Sequence, residues 1–200
     1  MRIVKDAYYF ALPGLVLAAG AAWRGWLWVA VVLLFLAGFV LFFFRDPERV
    51  PPDDPAAIVS PADGKVIQVR GSEGGTLVSI FLSIFDVHVN RAPVGGTVGR
   101  CEHRPGKFLL AFDERASVEN EQVVYEIGDV RFALIAGLVA RRIVPWKKVG
   151  DQVGPGDRIA LIRFGSRVDI LLPPGAEVLV QPGRRVKAGV SILAKRRERG

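Results

Sequence analysis

Gly165 and Ser166 break the stretch LIRFGSRVDI, whose flanks alternate apolar and polar residues like a half-buried strand. Glycine weakens a strand interior and marks a bulge, a bend or a close backbone approach. Three readings fit the pair. It can be a bend with no chemistry at all. Ser166 can be a hydrolase nucleophile, although RFGSRV lacks the G-x-S-x-G elbow that exposes such a serine. Or the Ser166 hydroxyl can attack the carbonyl of Gly165, which the missing side chain leaves sterically open. Other groups able to move a proton are few. The chain has two histidines, His88 and His103, and one cysteine, Cys101. An intrachain disulfide and a cysteine zinc cluster are therefore excluded, and no metal site is expected. Asp63, followed by Gly64, reads first as a hairpin-turn residue. His88 reads equally as a structural histidine or as an acid–base group.

These residues need a scaffold, and from Ala56 onward the chain is written as short strands. KVIQV, LVSIFL, QVVYEI, VRFALIAGLV, RIALIRF and VDILL are brief apolar runs punctuated by glycine and proline. None carries an amphipathic helix, and close spacing of this kind predicts a sandwich or barrel. A repeat sharpens the expectation. Gly150-x-x-Val153-x-x-Gly156-x-x-Ile159 recurs as Gly183-x-x-Val186-x-x-Gly189-x-x-Ile192, each position 33 residues on. That rhythm resembles the turn-and-strand unit of barrel-sandwich folds such as biotinyl and lipoyl carriers. The fold expected over residues 56–200 is mainly β and barrel-sandwich-hybrid-like.

Residues 1–44 are different. Trp26 to Phe44 carries no charge and as a helix would reach about 28 Å, close to the hydrocarbon thickness of a bilayer. Ala7 to Ala22 is also uncharged and would reach about 24 Å. The two predict a membrane-anchoring helical hairpin with Trp23, Trp26 and Trp28 at one interface. A cleaved signal peptide ending near Ala19-Gly20-Ala21 is the competing reading, disfavoured by the second apolar run. Arg2, Lys5, Arg45 and Arg49 fall on one side of the hairpin and Arg24 on the other, so the positive-inside rule puts the rest of the chain in the cytoplasm. RDPERVPPDDP, residues 45–55, is a proline-rich linker. The net charge of +7 suits an anionic partner. With a hydrophobic hairpin, that partner is a membrane rather than nucleic acid.

Five segments carry a family resemblance: SPADGKV (Ser60–Val66), FLSIFDVHVNRAPVGG (Phe81–Gly96), PGKF (Pro105–Phe108), SVENE (Ser117–Glu121) and RFGSRVDILLP (Arg163–Pro173). Together, and in this order, they resemble the short, membrane-anchored form of phosphatidylserine decarboxylase. The resemblance implies that the chain cleaves itself between Gly165 and Ser166, leaving two chains. Ser166 then becomes a covalent pyruvoyl group, which condenses with the amine of phosphatidylserine and takes up electrons as carbon dioxide leaves, giving phosphatidylethanolamine. It also implies catalytic roles for Asp63 and His88. Longer members have two histidines three residues apart before the proline. Counting back from Pro93 puts His88 at the first and Arg91 at the second, and an arginine cannot act as a base at neutral pH. Either His88 serves both self-cleavage and decarboxylation, or Asp63 activates Ser166. Arg91, Lys107, Arg163, Arg167 and the basic tail AKRRERG are candidates for the lipid's anionic groups. A homo-oligomer is compatible with all of this. The alternative is a non-enzymatic, membrane-tethered carrier or adaptor of barrel-sandwich form.

Overall fold

The computed structural model describes residues 2–72, 74–109, 115–137, 142–163 and 166–197. The chain divides into two compact units, Met1–Glu48 and Arg49–Gly200.

In the first unit, β1 (Arg2–Ile3) is followed by α1 (Asp6–Trp23), α2 (Leu27–Phe43) and β2 (Arg45–Asp46), with β1 and β2 paired antiparallel. A Schellman turn ends α1: Gly25 N donates to Ala22 O and Trp26 N to Ala21 O, with Gly25 at φ 78°. That turn puts Trp26 outside α2. At the other end Phe44 leaves the helix, and its carbonyl accepts from Val4 N at 3.0 Å. The apolar run is thus helical for 17 residues, shorter than its sequence suggests. Among the described residues no helix is long and apolar enough to cross a membrane. In α1 the buried positions are all alanine (Ala7, Ala11, Ala18, Ala21), and in α2 they include Ala30 and Ala37. Large apolar residues such as Trp23, Trp28 and Phe35 are exposed.

The second unit is mainly β. Its chain runs β3 (Ala57–Val59), β4 (Gly64–Ser72), β5 (Gly75–Leu82), β6 (Val89–Arg91) and β7 (Gly96–Arg104). One helical turn, α3 (Ala116–Glu119), leads to β8 (Gln122–Ile127), β9 (Val130–Ala136) and β10 (Arg142–Pro145). Then come β11 (Gln152–Val153), β12 (Arg158–Arg163), β13 (Ser166–Leu172), β14 (Glu177–Val178), β15 (Arg185–Val186) and β16 (Ile192–Lys195). An eight-stranded sheet has the order β11-β7-β8-β9-β13-β5-β4-β15, beside two three-stranded sheets, β10-β12-β6 and β14-β16-β3. Strand alternation sorts the faces. Val168, Ile170 and Leu172 of β13 enter the core with Val78 and Ile80 of β5 and Phe132 and Leu134 of β9. Each such side chain stabilises the fold by about 1.5–3 kcal/mol when fully buried.

The repeat seen in the sequence makes matching contacts in space. Gly150 N donates to Val98 O and Gly183 N to Val66 O, at 2.9 and 2.8 Å. Gly156 N donates to Ala92 O and Gly189 N to Ser60 O, again at 2.9 and 2.8 Å. The acceptors lie in or immediately before a second repeat, Pro61-x-x-Gly64-x-Val66 and Pro93-x-x-Gly96-x-Val98, 32 residues apart. Gly64 and Gly96 share the same unusual backbone, φ 150° and 146°. The two copies also bond to each other reciprocally, Val59 N to Pro93 O and Arg91 N to Pro61 O. The second unit therefore holds two related halves of this turn structure, and Asp63 is one of the positions at which they differ. Its counterpart is Gly95, whose missing Cβ would sit 3.2 Å from Pro155 Cδ. Where the second half has Pro155, with no N–H, the first has Ala188, whose N–H donates to Asp63 Oδ1 at 2.8 Å.

Candidate functional site

Ser166 is the first residue of β13, opposite Leu82 of β5 and Ala136 of β9. Even-numbered residues of β13 face the core, so Ser166 continues the row of Val168 and Ile170. It is fully buried, and its Oγ has no hydrogen-bond partner among the described residues. A buried hydroxyl left unsatisfied costs about 1–3 kcal/mol, which a purely structural serine would avoid. Gly165, the other half of the predicted cleavage site, lies outside the described residues.

His88 reaches the same end of the sheet by a different route. The chain leaves β5 at Leu82, opposite Ser166, and re-enters pairing at Val89, opposite Leu161 of β12. The His88 carbonyl accepts from Ile162 N at 3.2 Å. The loop 83–88 thus joins the strand beside Ser166 to the strand beside β12. The His88 ring is buried, and its Nδ1 lies 3.0 Å from the Asp86 carbonyl oxygen. A carbonyl only accepts, so Nδ1 carries the proton. In the neutral ring Nε2 then holds the basic lone pair.

Asp63 stands across β5 from Ser166, just before the β4 residue Lys65, which pairs with Phe81. Both carboxylate oxygens are engaged: Oδ1 by Ala188 N, and Oδ2 by Arg49 Nη2 at 2.8 Å. The two side chains of this ion pair are 10% and 12% exposed. Removing one partner of so buried a pair costs about 3–5 kcal/mol. No hydrogen bond among the described residues joins Asp63 to Ser166 or His88.

The basic candidates separate. Arg167 is buried, its Nε donating to Asp169 Oδ1 at 2.7 Å and its Nη2 to Ser79 Oγ at 2.9 Å. It ties β13 to β5. Arg91 is also buried and donates to the Gly156 carbonyl at 2.9 Å. Lys107 is exposed and pairs with Glu119. In the tail, Arg196 pairs with Asp129 and Lys195 with Asp54, while residues 198–200 lie outside the described residues. His103 is exposed beside Glu121.

Asn120, for which the sequence suggested no role, holds the other flank of the serine. It is buried, and its amide bonds Leu109 N, Leu109 O and, at 2.7 Å, the carbonyl of Ala136. Ala136 is the β9 residue opposite Ser166. The PGKF and SVENE segments come together here: Lys107 N donates to Glu119 O and Glu121 N to Lys107 O. A Cβ on Gly106 would lie 2.4 Å from Glu119 O, so only glycine fits. Asn120→Ala removes the side-chain partner of one buried and two part-buried backbone groups. We expect it to destabilise the fold by about 2–4 kcal/mol and to slow any reaction at Ser166. Thermal unfolding and fragment yield of the full chain check this.

A sequence model of the phosphatidylserine decarboxylase family matches residues 36–194. A phosphatidylserine decarboxylase proenzyme of Solibacter usitatus is 49% identical, over 100% of this chain and 99% of its own length. Proenzymes of the same name from Symbiobacterium thermophilum and Pelodictyon phaeoclathratiforme are each 46% identical. The first covers 96% of this chain and 95% of its own length, the second 84% and 86%. On identity and coverage of this extent, the chain belongs to the phosphatidylserine decarboxylase family.

Proposed function

We propose that the chain decarboxylates phosphatidylserine to phosphatidylethanolamine, using a pyruvoyl group that it makes from its own Ser166. The carrying observation is the Ser166 hydroxyl: buried, without a hydrogen-bond partner among the described residues, and first in its strand. A carrier or adaptor module has no use for such a group.

The maturation follows from that placement. Ser166 Oγ bonds to the carbonyl carbon of Gly165 as the carbon–nitrogen bond breaks, and the amide becomes an ester. Loss of the Ser166 α-proton expels Gly165 as a carboxylate and leaves dehydroalanine. One water enters and one ammonia leaves, giving residues 1–165 and a second chain that begins with the pyruvoyl group. The orphaned hydroxyl fits this origin. Once formed, the pyruvoyl group supplies an electron sink for the carbon–carbon bond that breaks, the part pyridoxal phosphate plays elsewhere.

His88 is the proton carrier in this reading. The bond from its Nδ1 to the Asp86 carbonyl fixes the tautomer and leaves Nε2 to take or return a proton. Asp63 supports cleavage. The second half has Gly95 at the matching position, and the charge of Asp63 is held by Arg49. Asp63→Ala is expected to block cleavage while barely changing turnover in whatever fraction matures. Asp63→Asn keeps an acceptor for Ala188 N while removing the charge and the acceptor that Arg49 meets. Fragment yield at matched melting temperature separates the chemical effect from loss of fold.

The membrane supplies the substrate. Residues 1–44 anchor the chain, with the soluble part facing the cytoplasm. Alanines between α1 and α2 and large apolar residues outside them suit lipid-facing helices. The paired halves of the second unit support a barrel-sandwich-like catalytic domain over residues 56–200, with 45–55 as the linker. The direct test is incubation with carboxyl-labelled phosphatidylserine. Labelled carbon dioxide and phosphatidylethanolamine should appear in equal amounts, and only from cleaved chain.

A further inference from the structure

Two large apolar side chains stand exposed next to the reacting end of the sheet. Ile84 is 41% and Phe85 64% exposed, in the loop that begins one residue after Leu82, the partner of Ser166. They are the central pair of a tight turn. Asp86 N donates to Ser83 O at 2.9 Å, closing it. The Asp86 carboxylate accepts from Ser83 N and Ser83 Oγ at 2.8 and 2.7 Å, clamping it. Turn centres favour glycine, proline, asparagine and aspartate, which meet conformational needs and tolerate water. Isoleucine and phenylalanine do neither. The hydrogen bonds hold the turn shut, and the apolar pair is presented outward.

The surface around the turn is cationic. Asp86 Oδ1 accepts from Arg185 Nη1 at 3.0 Å, which ties the turn to β15. Arg185 stands opposite Lys65 of β4, so the two share one side of the β4–β15 ribbon, and Lys187 follows directly after β15. All three are exposed. Of the acidic groups near it, Asp86 is already bonded to Ser83 and Arg185, and Asp63, beside Ala188, is buried against Arg49. An apolar tip set in a ring of lysine and arginine matches an anionic bilayer surface: acyl chains below, phosphates at the rim.

The geometry points to a second membrane contact, in which the Ser83–Asp86 turn inserts Ile84 and Phe85 into an anionic leaflet while Lys65, Arg185 and Lys187 meet its headgroups. It rests on the proposed reaction, and it explains how a lipid reaches a buried serine. The turn would hold the sheet end carrying Ser166 against the bilayer, so that a headgroup need leave the leaflet by only a short distance.

The test uses the full chain with Cys101→Ser, so that Phe85→Cys carries the one thiol for an environment-sensitive fluorophore. Ile84→Cys gives a second reading, and Asp129→Cys, in the β8–β9 turn, is the control. Vesicles are phosphatidylcholine alone or with phosphatidylglycerol, which is anionic and not a substrate. At positions 84 and 85 we expect a blue shift and a several-fold rise in emission on anionic vesicles, quenched by acyl-chain-brominated lipid. Position 129 should not respond. Lys65→Ala and Lys187→Ala should each lower the inserted-to-free ratio about fivefold. Aqueous emission at both positions on every vesicle overturns the proposal. So does a shift that appears with rising protein concentration in the absence of lipid, which would assign the pair to a second copy of the chain. The readout needs no turnover: an inserted label on a chain that releases no carbon dioxide would support the docking and count against the reaction.

Discussion

Ser166→Ala should remain a single chain of 21.8 kDa and release no carbon dioxide from phosphatidylserine. The expected loss is complete, because the deleted Oγ is both the nucleophile for cleavage and the leaving oxygen of the elimination, and without it no pyruvoyl group can form. The fold should not suffer. Ser166 sits on the core face between Leu82 and Ala136, and the deleted oxygen has no hydrogen-bond partner among the described residues. Removing an unsatisfied buried hydroxyl is neutral or stabilising, by about 1 kcal/mol. A denaturing gel and a melting curve on the same preparation therefore separate chemistry from folding. An uncleaved variant that melts at or above the wild-type temperature is the expected result. Cleavage in Ser166→Ala would move the nucleophile elsewhere.

The second large effect belongs to His88. His88→Ala should cleave slowly or incompletely and decarboxylate almost not at all. The two reactions draw on one proton carrier but differ in demand. Cleavage happens once per chain and tolerates a slow proton transfer; decarboxylation needs the proton in every cycle. Acid–base groups contribute about 10²–10⁴-fold. A loss of that size can still leave cleavage complete after hours while turnover falls below detection. The ring is buried, so the alanine variant also leaves a cavity. His88→Asn is the companion: its amide can still donate to the Asp86 carbonyl, as Nδ1 does, but it cannot carry a proton. Both variants should show the same split between fragment yield and carbon dioxide release, and His103→Ala should show neither effect. Wild-type release per mole of cleaved His88→Ala chain would remove His88 from turnover.

Much of the β architecture was legible because it rests on local patterns. Short apolar runs between glycines became strands, and the Gly150 and Gly183 repeats became matching turns. Their partners, Pro61–Val66 and Pro93–Val98, are not legible as a repeat because they agree at only three positions, and their likeness lies in backbone bonds. Asn120 was illegible for a stronger reason. It is a polar residue in a polar run, and its three partners, at Leu109 and Ala136, come together only in the tertiary structure. Arg167, a candidate for lipid contact, is held in a buried pair. The signal was present: Asp169 follows two residues on, hence on the same face of the strand, and a buried pair results. The first unit shows the limit of hydropathy alone. The apolar run extends beyond α2, but the Schellman turn at Gly25 and the bond from Val4 to Phe44 set where the helix begins and ends.

The central claim is that Ser166 becomes the amino-terminal pyruvoyl group of the shorter chain, and the intact mass of that chain tests it most directly. Residues 166–200 should be lighter by one ammonia than the peptide that simple hydrolysis after Gly165 would leave, and they should resist amino-terminal sequencing because no amine remains. A fragment carrying the full hydrolysis mass and a sequenceable serine, in a preparation that releases carbon dioxide, would contradict the account.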